Sequence, residues 1–164
     1  HAGASPARQA SQSTASFVAH LTQDRETYWA TATSSPCTSI FKPVWFGDDP
    51  LPTSFAGEHL EKFDDDIFWW HHEELHRQIL LDFEHRNTLV RREFEVLENR
   101  WLQEAEKVGA GKRAALTAEA FSLERETTDA LIAMLETESV EQKPRFPYRR
   151  FWKKQNEMVN LRLK

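Results

Sequence analysis

The sequence predicts an α+β fold, with about three short antiparallel strands followed by three to four helices. Two patterns and the break between them predict it. From Thr14 to Phe46 apolar residues alternate with polar ones, and β-branched and aromatic side chains are frequent, as on a half-buried strand. From about Glu58 apolar residues recur every three or four positions, the period of an amphipathic helix. Between the two, Gly47 to Gly57 carries Pro50 and Pro52 and reads as a loop. The chain is therefore expected to be a single region: loop 1–13, β-meander 14–46, loop 47–57 and helical cap 58–164.

The first strand is TASFVAHL (Thr14–Leu21) and Thr22–Arg25 is a hairpin loop. ETYWATAT (Glu26–Thr33) is the second strand, stopped by Ser34-Ser35-Pro36. TSIFKPVWF (Thr38–Phe46) is the third, and Pro43, lacking an N–H, assigns it to an edge, a bulge or a bend. Asp64 to Asp66 suit the N-terminus of a helix over Ile67–Leu81. After a break or kink at 82–84, a second helix over Arg86–Val108 buries Leu89, Val90, Phe94, Leu97, Trp101, Leu102 and Ala105. Gly109 and Gly111 end it. A third helix spans Leu116–Glu136, with Thr117 as a candidate N-cap and Phe121, Thr128, Leu131, Ile132 and Leu135 inward. A last one spans Tyr148–Leu161 after Pro144 and Pro147. Three strands make a poor sheet by themselves, so either the helices cover them or further strands complete the sheet.

Hydrophobic residues at 40% and aromatics at 12% of 164 positions are enough for a packed core. A net charge of −5 argues against nucleic-acid binding by the chain as a whole. A single cysteine, Cys37, and the lack of a long apolar run point to a cytoplasmic protein with no membrane span. The first residue is His1, so the chain is expected to be a piece of something longer. An N-terminal nucleophile would need Cys, Ser or Thr there.

Three stretches could carry chemistry. His72-Glu73-Glu74-Leu75-His76 spells the H-E-x-x-H of zinc peptidases, in which two imidazoles on one helix face hold the metal and the glutamate activates water. No third ligand is marked downstream, Glu74 and Arg77 are charged, and Ile79 and Phe83 share the face, so helix packing is the preferred reading and no metal or cofactor is assigned. Cys37 lacks the flanking signature of a nucleophile and reads as a loop cysteine. The segment from Lys143 interleaves Arg145, Arg149, Arg150, Lys153 and Lys154 with Phe146, Tyr148, Phe151 and Trp152. The aromatics are expected to dock it while the cations face water or pair with the acidic helices before it. A salt-sensitive interaction module is the weaker alternative. Lys42, beside Pro43, either points into a pocket or guards an edge strand.

In order, TASFVAHL, YWATATSSPCTSIFKPVWF, WWHHEELHRQIL and YRRFWKKQN resemble the C-terminal part of the secernins and related cysteine dipeptidases. The SVFKPF-like strand of that family is matched by Ser39-Ile40-Phe41-Lys42-Pro43, and its H-E-x-L-H-R helix by His72 to Arg77. The resemblance implies an N-terminal-nucleophile hydrolase, a sandwich of two antiparallel sheets between helices, cleaving dipeptides or small amides with a cysteine near the start of the full protein. Cys37 does not match that cysteine, so no catalytic residue carries over. The chain is then expected to be inactive alone, with the upstream catalytic part as its partner and a homo-oligomer contact in prospect. Ser39, Phe41, Lys42, Pro43, His72, Glu73 and His76 are its candidate pocket or structural residues.

Overall fold

The structure, a computed structural model, describes residues 13–47 and 61–163; the expected loops at 1–13 and 47–57, apart from Ser13 and Gly47, lie outside them. Three strands, β1 (Phe17–Leu21), β2 (Glu26–Ala30) and β3 (Lys42–Val44), form an antiparallel sheet in the order β1-β2-β3. Phe17 faces Ala30 and Leu21 faces Glu26 across the first pair; Pro43 faces Trp29 across the second. The hairpin closes as expected, with Thr22 N–H donating to Arg25 O (2.8 Å) and Arg25 N–H to Thr22 Oγ1 (3.1 Å). Pro43 lies in an outer strand of this sheet, where its missing donor costs no ladder bond.

The second and third strands are shorter than the alternation predicts. Ala32 (φ 55°) and Ser35 (φ 48°) take the left-handed conformation, which strand pairing does not accommodate, and Pro36–Thr38 is a 3-10 turn. Hydroxyl side chains that read as strand residues instead bond inside the protein, as described below.

Four helices follow: α1 (Phe68–Ile79), α2 (Phe83–Lys107), α3 (Arg113–Thr137) and α4 (Phe146–Met158). The α3 helix starts one turn before its expected boundary. Thr117 is thus not an N-cap; its hydroxyl donates to Pro43 O at 3.0 Å. Asp64 does not cap α1 either. Its carboxylate accepts from Asp66 N–H (3.0 Å), forming a turn ahead of the helix.

The core joins Trp29 and Ile40 to Leu75 and Ile79 of α1, Val90, Phe94, Trp101 and Ala105 of α2, and Leu116, Ala120, Leu131 and Leu135 of α3. Leu102, expected inward, is instead largely exposed. A smaller cluster, Val44, Phe68 and Phe121, covers the opposite side of β3. Nearly every residue of α1 is buried.

Arg86 locks the helix ends together. Its guanidinium donates to Gln78 O (2.9 Å) at the end of α1, and to Leu135 O (2.9 Å) and Glu138 O (3.0 Å) at the end of α3. These are carbonyls that a helix terminus leaves without intrahelical partners, and a cation there also suits the helix dipole. Beside it, the Asp82 carboxylate accepts from the backbone N–H groups of Glu141 and Gln142, both at 2.9 Å.

The contrast between helical core and outer strand is measurable. Phe94→Ala should lower unfolding free energy by about 3–5 kcal/mol, and Phe17→Ala, on the exposed β1, by no more than about 0.5 kcal/mol, both read from urea denaturation of the chain.

Candidate functional site

The segment between β2 and β3 carries the densest run of hydroxyls in the chain, Thr31, Thr33, Ser34, Ser35, Thr38 and Ser39, and all six are buried. A buried hydroxyl or peptide group left without a partner costs about 1–3 kcal/mol, so the geometry of the site is set by what satisfies them.

From α1, Glu73 accepts from Ser34 Oγ and from Arg77 Nε (2.9 Å). His76 meets Ser35 Oγ through Nε2 (3.1 Å) and Thr38 Oγ1 through Nδ1 (3.2 Å). Thr38 already donates its hydroxyl proton to Ser35 O (3.0 Å). It must therefore accept from His76 Nδ1–H, and Ser35 donates to Nε2, which fixes the neutral tautomer. Burial holds the His76 imidazole down at about 4, the Arg77 charge adding to this and the Glu73 charge opposing it.

Arg91 of α2 donates to Ser39 O (3.0 Å) and to Glu98 Oε2 (3.0 Å), while Glu98 Oε1 accepts from Phe41 N–H (2.9 Å). The third helix, α3, contributes Thr117 on Pro43 O, and Glu124. Lys42 Nζ donates to Thr31 O (2.7 Å) and Ile40 O (3.2 Å), and pairs with the Glu124 carboxylate. The rings of Phe68 and Phe121 flank the ammonium at 5.2 and 5.0 Å. Lys42 is thus neither open to a pocket nor an edge guard; it is 0% exposed and tied to Glu124, 1% exposed. Burial pushes the Glu124 carboxyl up to about 7, and the adjacent ammonium opposes the rise. Burial likewise lowers the Lys42 ammonium, opposed by Glu124.

The expected site residues gather in one region without forming one reacting centre. Ser39, Lys42, Glu73 and His76 belong to the buried network. Pro43 enters through its carbonyl. Phe41 instead lines an outer groove of about 360 Å³ with Val18 and Trp29. His72 is almost wholly buried, and neither ring nitrogen has a partner among the described residues. Burial, reinforced by His76, Lys42 and His71, holds it well below the ordinary histidine range.

The zinc-peptidase arrangement does not fit these side chains. Both nitrogens of His76 are occupied by hydroxyls, Glu73 is held by Arg77 and Ser34, and no group of three or more His, Cys, Asp or Glu side chains among the described residues is placed to hold a metal ion. Cys37 is exposed and borders a cleft of about 450 Å³ with Ser35, His76 and Tyr148. His76 makes its bonds to Ser35 and Thr38, and so is not free to act as a base toward that thiol.

Sequence reasoning missed the contribution of Ser34, Ser35, Thr38, Arg91, Glu98 and Glu124. Two signals were available. The end of the second expected strand, the break after it and the start of the third carry six hydroxyl residues in nine positions, Thr31 to Ser39. Glu124 falls in the inward stripe of α3, one turn after Ala120 and one before Thr128, and a carboxylate there needs a buried cation.

Compared with known proteins, the chain matches no family model, no curated protein and no solved structure. No helix among the described residues is long and apolar enough to cross a membrane.

The buried pair and the neutral imidazole each give a test. Lys42→Met strands Glu124 and should cost about 3 kcal/mol, and Lys42→Met with Glu124→Leu should recover most of that loss; urea midpoints of the three proteins decide. His76 titrates near 4 in the folded protein, against an ordinary histidine value of 6.5 for the unfolded chain. Its contribution to stability is complete above 6.5 and falls as pH drops toward 4, because the unfolded chain takes up the proton first. The loss should reach about 3 kcal/mol. Glu124 acts with the opposite sign, its contribution falling as pH rises from 4.5 to 7. Urea midpoints of wild type and His76→Gln between about pH 7.5 and 4 isolate the His76 part of the slope, since that part disappears in the variant while those of His72 and Glu124 remain.

Proposed function

We propose that the chain is the non-catalytic C-terminal portion of a secernin-like dipeptidase, an N-terminal-nucleophile amide hydrolase, and that it supplies scaffold and oligomer contacts to an upstream catalytic part. The carrying observation is β1. All five of its residues are exposed, including Phe17 at 52%, Val18 at 48% and Leu21 at 64%. Both faces are open. Phe17 stacks with Tyr28 (5.6 Å) and leans on Phe46 (6.1 Å) on one face, and Val18 and His20 border the Phe41 groove on the other. Among the described residues its outer edge has no pairing strand. An apolar edge uncovered on two faces is what a strand interior to a larger layered sheet presents when its neighbours are removed.

The rest of the geometry supports a structural role. The Ser39–Pro43 segment and the His72–Arg77 helix, which carry the resemblance, are committed to buried bonds, the first with α2 and α3 and the second with Ser34, Ser35 and Thr38, rather than to an open reacting centre. Glu73, His76 and Lys42 each have protein partners, so the motif residues hold the end of the sheet against three helices.

The chain by itself should leave dipeptides uncleaved. Expressed together with the coding sequence that precedes it, it should hydrolyse them, and the outward amides of β1 should become protected from hydrogen exchange. Dipeptide turnover by the isolated chain, one tightly bound zinc per chain lost in His72→Ala, or β1 amides equally exposed in the longer protein would each overturn the reading.

A further inference from the structure

A second cleft lies beyond the buried network, between the C-terminal half of α1 and α4. Asn160 (φ 61°) adopts the left-handed conformation that asparagine tolerates, and it reverses the chain after α4. Leu161 N–H then donates to Asn156 O (3.0 Å), which turns the chain back at the helix end, and Phe63 N–H donates to Val159 O (2.8 Å), which ties the segment ahead of α1 to that end. The result is a groove of about 600 Å³, within the size range of small-molecule sites.

Its floor is apolar, built from Leu80, Leu81, Tyr148, Trp152 and Leu161. Its rim is cationic. Arg149, Lys153 and Arg162 are exposed there, against one lining carboxylate, Glu157, which stands 4.0 Å from Lys153. Arg149 and Arg162 have no ion pair among the described residues. Arg77 lies between the rings of Trp70 (5.6 Å) and Trp152 (5.4 Å), and Asn156 accepts from its Nη1 at 2.8 Å. This concentration of positive charge occurs in a chain whose net charge is −5, so it is a local feature and not a consequence of composition.

We propose that this groove binds a small amphipathic carboxylate, with an aryl or acyl body on the Trp152–Leu81 floor and the carboxylate at the Arg149–Lys153–Arg162 rim. Guanidinium and ammonium groups donate charge-assisted hydrogen bonds to a carboxylate, and the apolar floor gains by being covered. The inference stands apart from the proposed dipeptidase role, because no residue of the rim belongs to the buried network.

The test is calorimetric titration of the chain with 3-phenylpropanoate, with its neutral amide, and with octanoate in competition. The acid should bind with a Kd of about 1 mM or tighter, and about tenfold more tightly than the amide. Octanoate should displace it. Arg149→Ser with Lys153→Ser, both exposed positions, should weaken acid binding by about tenfold while leaving the melting temperature unchanged. No binding, equal binding of acid and amide, failure of octanoate to compete, or full acid affinity in the double variant would overturn the proposal. The comparison of acid with amide needs no variant, so it stands even if the substitutions disturb folding.

Discussion

A largely irregular stretch of chain runs through the interior of this protein, and the polar groups that it cannot satisfy within itself are met there by helices. Between Thr31 and Val44 the backbone abandons the ladder twice, so its peptide groups and hydroxyls cannot be satisfied by strand neighbours. Three helices answer from three directions. Glu73 and His76 come from α1, Arg91 and Glu98 from α2, and Thr117 and Glu124 from α3. The arrangement explains why so many ionisable side chains are buried in a small domain: their burial is the means by which the irregular segment is held. It also explains how Ala32 and Ser35 keep a backbone conformation that costs each about 1 kcal/mol or more.

The histidine-glutamate motif shows how a short pattern can be right about geometry and silent about chemistry. The spacing does place His72 and His76 one turn apart on one buried helix. What the spacing cannot convey is where the remaining lone pairs go. His76 is committed to two hydroxyls 41 and 38 residues earlier, and Glu73 to a serine and an arginine. His72 is the reverse case, a buried ring whose two nitrogens have no partner among the described residues. For His76 the deciding information lies in a part of the chain remote in sequence.

The same physical reason separates what was legible in the sequence from what was not. The order of three strands and four helices follows from local periodicity, and most of the inward residues of α2 and α3 fall on the stripes their spacing predicts. Pro43 at an outer strand was readable from a missing donor. Lys42 was not readable, because its environment is made by Glu124, Phe68 and Phe121, brought in from other elements. The early end of β2 was hidden for a similar reason. Thr31 and Thr33 favour strand geometry, and tertiary hydrogen bonding overrides that local preference. The basic segment was legible in part: Tyr148, Phe151 and Trp152 are half-buried as docking residues should be, whereas Phe146 is exposed and most of the cations face solvent.

The distance along the chain between the irregular segment and its partners has a consequence for how the protein acquires its structure. Ser34 waits for a residue 39 positions later, Phe41 for one 57 later and Pro43 for one 74 later. Contacts of such separation carry a loop-closure cost before they return any stability, and folds that rely on them form slowly. During synthesis the β1–β2 hairpin emerges first and can pair from local contacts alone, but the segment that follows it has no partner for Ser34, Ser35 and Thr38 until α1 has left the ribosome, and none for Lys42 and the Pro43 carbonyl until α3 has. Consolidation of the interior is therefore a late event, and the hairpin must stay soluble through that interval with Phe17, Val18 and Leu21 uncovered. His20, Thr22, Asp24 and Arg25, interspersed at its tip, are the residues that keep the waiting hairpin hydrated.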